Sequence, residues 1–297
     1  MKPVKRLPSG VKRTSGGTFD RNNTPLYYIA GSPDRLLTAP HQHVLVAVNE
    51  VKSPKQVNEL DQLCDTRNVL LDSGIFNLTM GHARAHNMSM DDALRLHPSE
   101  VDGWPELKDR FYELATRFHD RLWGVIELDL GGKDIKPQTR AMIEADTGII
   151  PMPVYHPLND GWSYYDTLAS GYDRICFGNL VKASPPVRLR LIHTAAERAR
   201  DYPYLWTHLL GVHPNENWLA MPMRGSADSS SWLTALRWMP SWKDWALLRM
   251  TAHFPPDLWY AKETYDLANA MVSAQACFVQ HTINAVKEDT HTCLAVQ

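Results

Sequence analysis

Short apolar runs alternate with longer amphipathic segments along the chain. Eight runs have the length of a β-strand, and most are rich in β-branched or aromatic residues. The eighth is weak as a strand because it is rich in serine. The eight runs cover residues 27–30, 44–48, 68–72, 123–130, 149–155, 174–178, 206–212 and 225–232.

The segments between these runs have the features of helices. Residues 53–64 begin with Ser53 and Pro54, a typical cap and first helical residue. Residues 105–121 carry apolar side chains at helical spacing. Further helices are expected at 89–96, 138–147, 164–171 and 187–200. Eight strands that alternate with helices predict an α/β fold, a (β/α)₈ TIM barrel.

The 297 residues leave room for additions to a barrel of about 250 residues. We expect residues 26–239 to form the catalytic barrel domain, with a helical insertion at 80–121 after the third strand. Residues 240–297 are predicted to form C-terminal helices packed on the barrel. Residues 1–25 hold six Lys or Arg against one Asp. They read as a flexible basic arm, either a solvated tail or a contact to nucleic acid.

Composition excludes several classes of protein. The net charge is −2, which argues against a uniformly basic nucleic-acid coat, and 44% hydrophobic residues argue against disorder. The four cysteines form no CxxC pair, so a zinc ribbon is not expected. No signal peptide or apolar run of about 18 residues is evident. We therefore expect a cytoplasmic protein that does not bind a membrane.

Carboxylates follow three of the predicted strands. Asp72, Asp129 and Asp228 would meet at one mouth, because barrel active sites form at the C-terminal strand ends. An Asp after a strand is also a common helix cap. Converging carboxylates suit displacement at an anomeric carbon or binding of a divalent metal, and the pattern does not separate the two. His156 and His208 add polar groups near the same rim.

Five motifs resemble those of the tRNA-guanine transglycosylase superfamily. Residues 72–76 (DSGIF) resemble its DSGGF signature, residues 125–129 its strand ending in a base-recognising Asp, and residues 177–180 (FGNL) its Gly-Gly-Leu turn. Residues 208–212 (HLLGV) and 226–232 (SADSSSW) are more similar to the DpdA-like branch. That branch, from phages and bacteria, inserts 7-deazaguanines into DNA.

The resemblance implies roles for individual residues. Asp228 matches the nucleophile that attacks C1′ and expels guanine, which yields a covalent glycosyl-enzyme. Asp72 matches the acid/base that protonates the leaving base and deprotonates the incoming one. Asp129 matches the group that reads the N1/N2 edge of the base, and the turn at Gly178 and Asn179 faces its O6.

Three further matches complete the implied base site. Phe76 matches the aromatic ring that stacks on the base, and Ser73 a nearby polar contact. His156 matches a further base-edge contact by position only. No cofactor is implied, because exchanging one base for another is nearly balanced in bond energy, and no phosphate-binding GxxxxGK[ST] motif is found.

Departures from the family pattern bear on the nucleic acid. Ile75 and Asn179 stand where the family has glycine, and Ile75 narrows the space beside the base. The tRNA enzymes of the family carry a CxCxxC…H zinc cluster that supports their RNA-binding subdomain. This sequence has no such cluster in its C-terminal region, so no metal is expected. The absence of that cluster favours DNA over tRNA as the partner, with a 7-deazaguanine base (preQ0-like) as the second substrate. A duplex target would have to be flipped out first.

Basic residues follow the predicted sixth strand. Lys182, Arg188 and Arg190 belong to a segment at 181–200 that holds one acid, and Lys133 and Lys136 could join them. Such a patch would bind phosphates, although it could equally be a solvated helix face. The sequence thus predicts a DNA guanine transglycosylase, located in the host cytoplasm if phage-encoded. The alternatives are the same chemistry on tRNA and a non-catalytic nucleic-acid-binding barrel.

Overall fold

Eight parallel strands form one sheet that closes on itself. A computed structural model describes residues 7–17, 26–212 and 224–233, together with Val279. The strands are hydrogen-bonded in the order β4-β3-β2-β1-β8-β7-β6-β5. A parallel bridge between Ile126 and Met152 joins the two ends of the sheet. The fold is a (β/α)₈ barrel, as the alternation of strands and helices predicts.

Among the described elements, a helix follows each of the first six strands. The strands are β1 Leu26–Ala30, β2 His43–Ala47, β3 Asn68–Asp72, β4 Gly124–Val125, β5 Val154–Tyr155, β6 Arg174–Phe177, β7 Trp206–Leu209 and β8 Gly225–Ser229. The helices are α1 Pro33–Thr38, α2 Pro54–Thr66, α3 Ile75–Ala85, α4 Met90–Arg95, α5 Trp104–Phe118, α6 Gly132–Thr147, α7 Trp162–Gly171 and α8 Pro185–Ala199. Three 3₁₀ turns complete the order at Val48–Glu50, Pro98–Glu100 and Leu180–Lys182.

Alternate residues along each strand separate two cores. In β1, Leu26, Tyr28 and Ala30 belong to the cluster that fills the barrel, whereas Tyr27 and Ile29 belong to the larger cluster beneath the helices. This two-residue period follows from the pleat of a strand, which sends successive side chains to opposite faces. Every second residue of a strand therefore points into the barrel, and those near its C-terminal end reach the mouth.

Two strands are shorter than the apolar runs predict. β4 covers two residues of the run at 123–130, and β5 covers two of the run at 149–155. Pro151 and Pro153 flank Met152, and proline has no N–H to donate to a ladder. Pairing on this side is therefore reduced to a bridge through Met152, whose N–H donates to Val125 O at 2.7 Å.

A helical insertion lies between β3 and β4, where the sequence predicts one. The segment contains α3, α4, α5 and a 3₁₀ turn. Phe111, Leu114 and Phe118 of α5 are fully buried, because they lie on one face of the helix at spacings of three and four residues. The insertion is thus packed onto the barrel rather than separate from it.

The prediction of a flexible arm at 1–25 is wrong for residues 11–17. Thr14 is buried: its N–H donates to Asp173 Oδ1 at 2.9 Å, and its hydroxyl contacts Arg174, the first residue of β6. Ser15 N–H donates to Ile150 O at 2.8 Å. This segment therefore covers the N-terminal end of the barrel, opposite the mouth. Residues 1–6 and 18–25 lie outside the described residues.

The predicted C-terminal helices at 240–297 also lie outside the described residues, apart from Val279. Val279 is helical and fully buried in the core beneath the helices. Among the described helices, none combines the length and apolar character required to cross a membrane.

Candidate active site

One cavity opens at the C-terminal ends of the strands. Its volume is about 470 Å³, and it is lined by residues that follow all eight strands. The cavity brings together every catalytic and base-contacting residue suggested by the sequence: Asp72, Ser73, Phe76, Asp129, His156, Gly178, Asn179 and Asp228. These eight residues come from positions up to 156 apart in sequence, so the barrel closure is what places them on one surface.

Asp129 is fixed by two cationic or hydrogen-donating groups. Lys136 Nζ donates to its Oδ1 at 2.9 Å, and His156 Nε2 donates to its Oδ2 at 2.6 Å. Burial by itself would raise the pKa of Asp129, but the interactions with His156 and Lys136 outweigh it and hold the pKa well below its ordinary value. Asp129 is therefore an ionised, oriented acceptor on the wall of the cavity.

Lys136 belongs to a buried ion network rather than to a phosphate-binding patch. Its side chain is 1% exposed, and Nζ also donates to Val154 O at 2.8 Å. Behind it, Glu127 accepts a hydrogen bond from Arg140 at 2.5 Å. Arg140 and Lys136 lie one helical turn apart in α6, on the face that packs against the barrel. The suggestion that Lys136 contacts nucleic-acid phosphates is wrong.

Asp228 has a histidine and a backbone N–H as donors instead of a lysine. Its Oδ1 accepts hydrogen bonds from His208 Nε2 at 3.2 Å and from the Gly211 N–H at 3.1 Å. The β7–β8 register pairs His208 with Ser226, which lies two residues before Asp228 in β8. The imidazole therefore lies inside the barrel, on the N-terminal side of Asp228. Among the described residues, none donates to the second carboxylate oxygen, which is left for a reaction partner in the cavity.

A chain of hydrogen bonds holds the imidazole of His208 in place. Trp206 Nε1, which can only donate, lies 3.0 Å from Ser226 Oγ, and that hydroxyl lies 2.8 Å from His208 Nδ1. Because a carboxylate oxygen only accepts, His208 Nε2 donates to Asp228, and the Ser226 hydroxyl holds the other ring nitrogen. His208 is fully buried, so this orientation is set by the protein and not by water.

The Asp72 carboxyl group is hydrogen-bonded to the backbone alone, without a side-chain donor among the described residues. Its Oδ2 accepts a hydrogen bond from the Gly74 N–H at 3.0 Å. Burial raises the pKa of Asp72 from 3.8 to about 7, and the charges of Asp228 and Asp129 add to the increase. A carboxyl group with this pKa can give up or take a proton near neutral pH, as a general acid/base requires.

The walls of the cavity supply a ring and a tight turn. Phe76, in the first turn of α3, is 49% exposed at the cavity, whereas Ser73 is buried. At Gly178 a Cβ atom would lie 2.6 Å from His156 Cδ2 and 2.9 Å from Val154 Cγ1, so no larger residue fits there. This close approach lets His156 reach across to Asp129.

The turn at Asn179 and the basic residues after it are engaged with the protein itself. Asn179 has φ +62°, a left-handed conformation that Asn tolerates, and begins the 3₁₀ turn. Lys182 Nζ pairs with Asp91 Oδ1 at 2.7 Å. The Arg188 guanidinium donates to the backbone oxygens of three residues, and burial lowers its pKa. Arg190 is exposed on α8.

These contacts change the interpretation of the basic patch. Arg188 stabilises the turn after β6, and Lys182 links that turn to the insertion, so neither is a free cation for phosphate. Arg190, which is exposed on α8, stays a candidate for a phosphate contact. The sequence analysis missed the roles of Lys136 and His208. Lys136 could have been found as a lysine on the apolar face of α6, and His208 as a histidine at an inward-facing position of a strand.

Comparisons with known proteins identify no family for this chain. Neither a protein-family model nor a curated protein matches the chain. Two solved structures of the tryptophan synthase alpha chain from Legionella pneumophila are similar to it, with a TM-score of 0.45 each. Their sequences are 10% and 11% identical to this one; each match covers 88% of this chain and 94% or 93% of theirs.

Proposed function

We propose that this chain is a barrel enzyme that exchanges bases at an anomeric carbon, and specifically a DNA transglycosylase that replaces guanine with a 7-deazaguanine. The observation that carries the proposal is the set of three carboxylates in one cavity, each with different surroundings. Asp228 is oriented by His208 and a backbone N–H, Asp72 has a pKa near 7, and Asp129 is ionised. Nucleophile, proton carrier and base-reading group need these three states.

In the first half of the reaction, the free oxygen of Asp228 attacks C1′ of the target nucleotide. A C1′–O bond forms as the C1′–N9 bond breaks, and the bonding electrons move to N9 of guanine. Asp72 in its protonated form gives its proton to the leaving base. Splitting one displacement into two through a covalent intermediate lowers the barrier of each step.

The second half reverses these movements with the new base. The incoming 7-deazaguanine gives its N9 proton to Asp72, and N9 then attacks C1′ and releases Asp228. The ionised Asp129 accepts hydrogen bonds from the N–H groups on the base edge, and Phe76 stacks on its ring. Neither half consumes a nucleoside triphosphate or changes an oxidation state, so the proposed reaction requires no cofactor.

The test is mass spectrometry of nucleosides from cells that express the chain together with a source of a preQ0-like base. We expect a 7-deazaguanine nucleoside in DNA, and none with Asp228→Ala. The modified nucleoside in tRNA alone would retain the chemistry and reject the DNA substrate. Its absence from both, with nucleic acid still bound by the purified chain, would favour a non-catalytic barrel.

A further inference from the structure

A second group of potential ligands lies outside the cavity, in the helical insertion. His82 and His86 lie one turn apart at the C-terminal end of α3, and Asp102 lies just before α5. Across the described part of the chain, this is the one set of three metal-ligating side chains whose ligand atoms all come within 4.8 Å of one another. None of the three lines the mouth cavity.

The geometry is close to that of a bound ion. His82 Nδ1 lies 3.1 Å and His86 Nε2 lies 2.7 Å from the same oxygen, Oδ2 of Asp102. Ligands at about 2.0–2.2 Å from a tetrahedral zinc ion are separated by about 3.3 Å. The distance at His82 is close to this separation, and His86 Nε2 would have to move about 0.6 Å away from the carboxylate oxygen to accommodate an ion.

One ligand is rigid and the other two can adjust. The His82 side chain is 5% exposed, whereas the side chains of His86 and Asp102 are 50% and 70% exposed. In this structure the Asp102 N–H donates a hydrogen bond to His82 Nδ1 at 3.2 Å, and a bound ion would take the place of this bond. A small rotation of the exposed Asp102 side chain brings its oxygen to an ion at that nitrogen.

Electrostatics also favours a cation at this position. His86 caps the C-terminal end of α3, where the helix dipole is negative. Two imidazoles and one carboxylate are the ligand set of zinc, cobalt and nickel, whereas magnesium and calcium prefer oxygen alone.

We infer that His82, His86 and Asp102 form a binding site for a divalent transition-metal ion that joins α3 to the segment before α5. Three protein ligands leave a fourth position for solvent. The site lies away from the carboxylates of the mouth, so its role is to fix the segment before α5 against α3, whose first turn carries Phe76. This inference is independent of the proposed base exchange.

The experiment is a titration of the metal-free full-length chain with Co²⁺ and Zn²⁺, followed by visible absorption and calorimetry. We expect one equivalent to be lost in His86→Ala, and binding at least about tenfold weaker in Asp102→Asn, since even groups that only orient metal ligands are worth 10- to 100-fold. His119→Ala, which removes an exposed histidine from the end of α5, is the matched control and should bind as the wild type does.

Asp102→His separates metal binding from simple packing. A three-histidine set binds zinc well, so this variant should keep the bound equivalent although it loses the carboxylate. The inference is overturned if His86→Ala or Asp102→Asn binds as tightly as the wild type, if Asp102→His loses the equivalent, or if Mg²⁺ competes at equal concentration. Circular dichroism of each variant verifies that the barrel is intact.

Discussion

The carboxylates on the two sides of the barrel mouth have opposite kinds of surroundings. On the β4–β5 side, Asp129 lies between Lys136 and His156, and its charge is neutralised by buried partners. On the β3–β8 side, Asp72 and Asp228 receive hydrogen bonds from backbone N–H groups and from His208, with no lysine or arginine bonded to them among the described residues. The first arrangement holds a charge in place, and the second leaves carboxylates free to react.

The proposed function assigns a different role to each of the three carboxylates of this cavity, and their surroundings differ accordingly. A salt-bridged carboxylate is a poor nucleophile and a poor proton carrier, because its charge is already stabilised. A carboxylate with one or two neutral donors keeps its reactivity, and a neighbouring negative charge raises its proton affinity. The following predictions test whether the division between the two sides determines the chemistry.

The largest effect is expected at Asp228. Asp228→Ala removes the proposed nucleophile, and base exchange should fall by more than about 10³-fold, since the oxygen that forms the C1′–O bond is lost. The measurement is release of labelled guanine from DNA, with trapping of a covalent adduct on a denaturing gel.

Asp228→Asn is the matched control, because it preserves the shape of the side chain. It should still bind DNA and should give no adduct. Exchange at the wild-type rate in either variant would reject Asp228 as the nucleophile.

Asp72→Asn is expected to slow guanine release by about 10²- to 10⁴-fold, the usual contribution of a positioned general acid. In the wild type, burial holds the pKa of Asp72 at about 7. The rate of the first half-reaction should therefore fall as the pH rises through 7, and this dependence should be absent from the variant. Single-turnover rates between pH 5.5 and 9 give both results, and an unchanged profile in Asp72→Asn would exclude this role.

The same pKa predicts a change in stability. The folded chain keeps a proton on Asp72 between about pH 4 and pH 7, where the unfolded chain has lost it, so the wild type should lose stability as the pH rises across that window. Asp72→Asn should lack this loss, with a difference of about 2–4 kcal/mol between pH 4 and pH 8. Urea unfolding at the two pH values measures it, and equal pH dependence in both proteins would contradict the shift.

Lys136→Met tests the opposite side of the mouth. The variant leaves Asp129 with His156 alone and removes one cation from the network that contains Glu127. Breaking a buried ion pair from one side costs about 3–5 kcal/mol of stability. Affinity for the incoming base should fall by about tenfold, whereas guanine release at saturating DNA should change less.

Lys133→Met, in the same first turns of α6, is the control and should leave both quantities unchanged. Wild-type base affinity in a folded Lys136→Met would show that the charge of Asp129 does not depend on the lysine.

The barrel and the meeting of the three carboxylates could be predicted from sequence because both follow from strand order. C-terminal ends of parallel strands share one end of a barrel, so Asp72, Asp129 and Asp228 had to converge once the strands were recognised. The partners of these carboxylates could not be predicted in this way. Lys136 lies on a helix, where a lysine usually faces solvent, and only the packing of α6 turns it inward.

Other differences have equally specific causes. The runs at 123–130 and 149–155 look like full strands, but the prolines around Met152 remove the N–H groups that a full ladder needs. The segment at 11–17 is basic and rich in small residues, yet Thr14 satisfies buried groups at the N-terminal end of the barrel. In both cases a few hydrogen bonds determine the outcome, and average composition does not record them.

The smallest effect is expected at His208, which orients the nucleophile without touching the substrate. His208→Leu removes the donor to Asp228 and leaves Ser226 with one partner fewer, so the rate of adduct formation should fall by about tenfold and stability by about 1–3 kcal/mol. His208→Gln can place an amide N–H near the position of Nε2 and should recover most of the rate. KM for DNA should stay constant in both, since His208 lies below the cavity floor.

This pair of variants separates orientation from packing. If His208 only fills space, Leu should serve as well as Gln, because the site is fully buried and both side chains fit its volume approximately. If it orients Asp228, Gln should be the faster variant although it brings a polar group into the barrel. Equal rates for the two variants would mean that the Gly211 N–H alone holds the nucleophile, and the side of the mouth with neutral donors would then depend on the backbone.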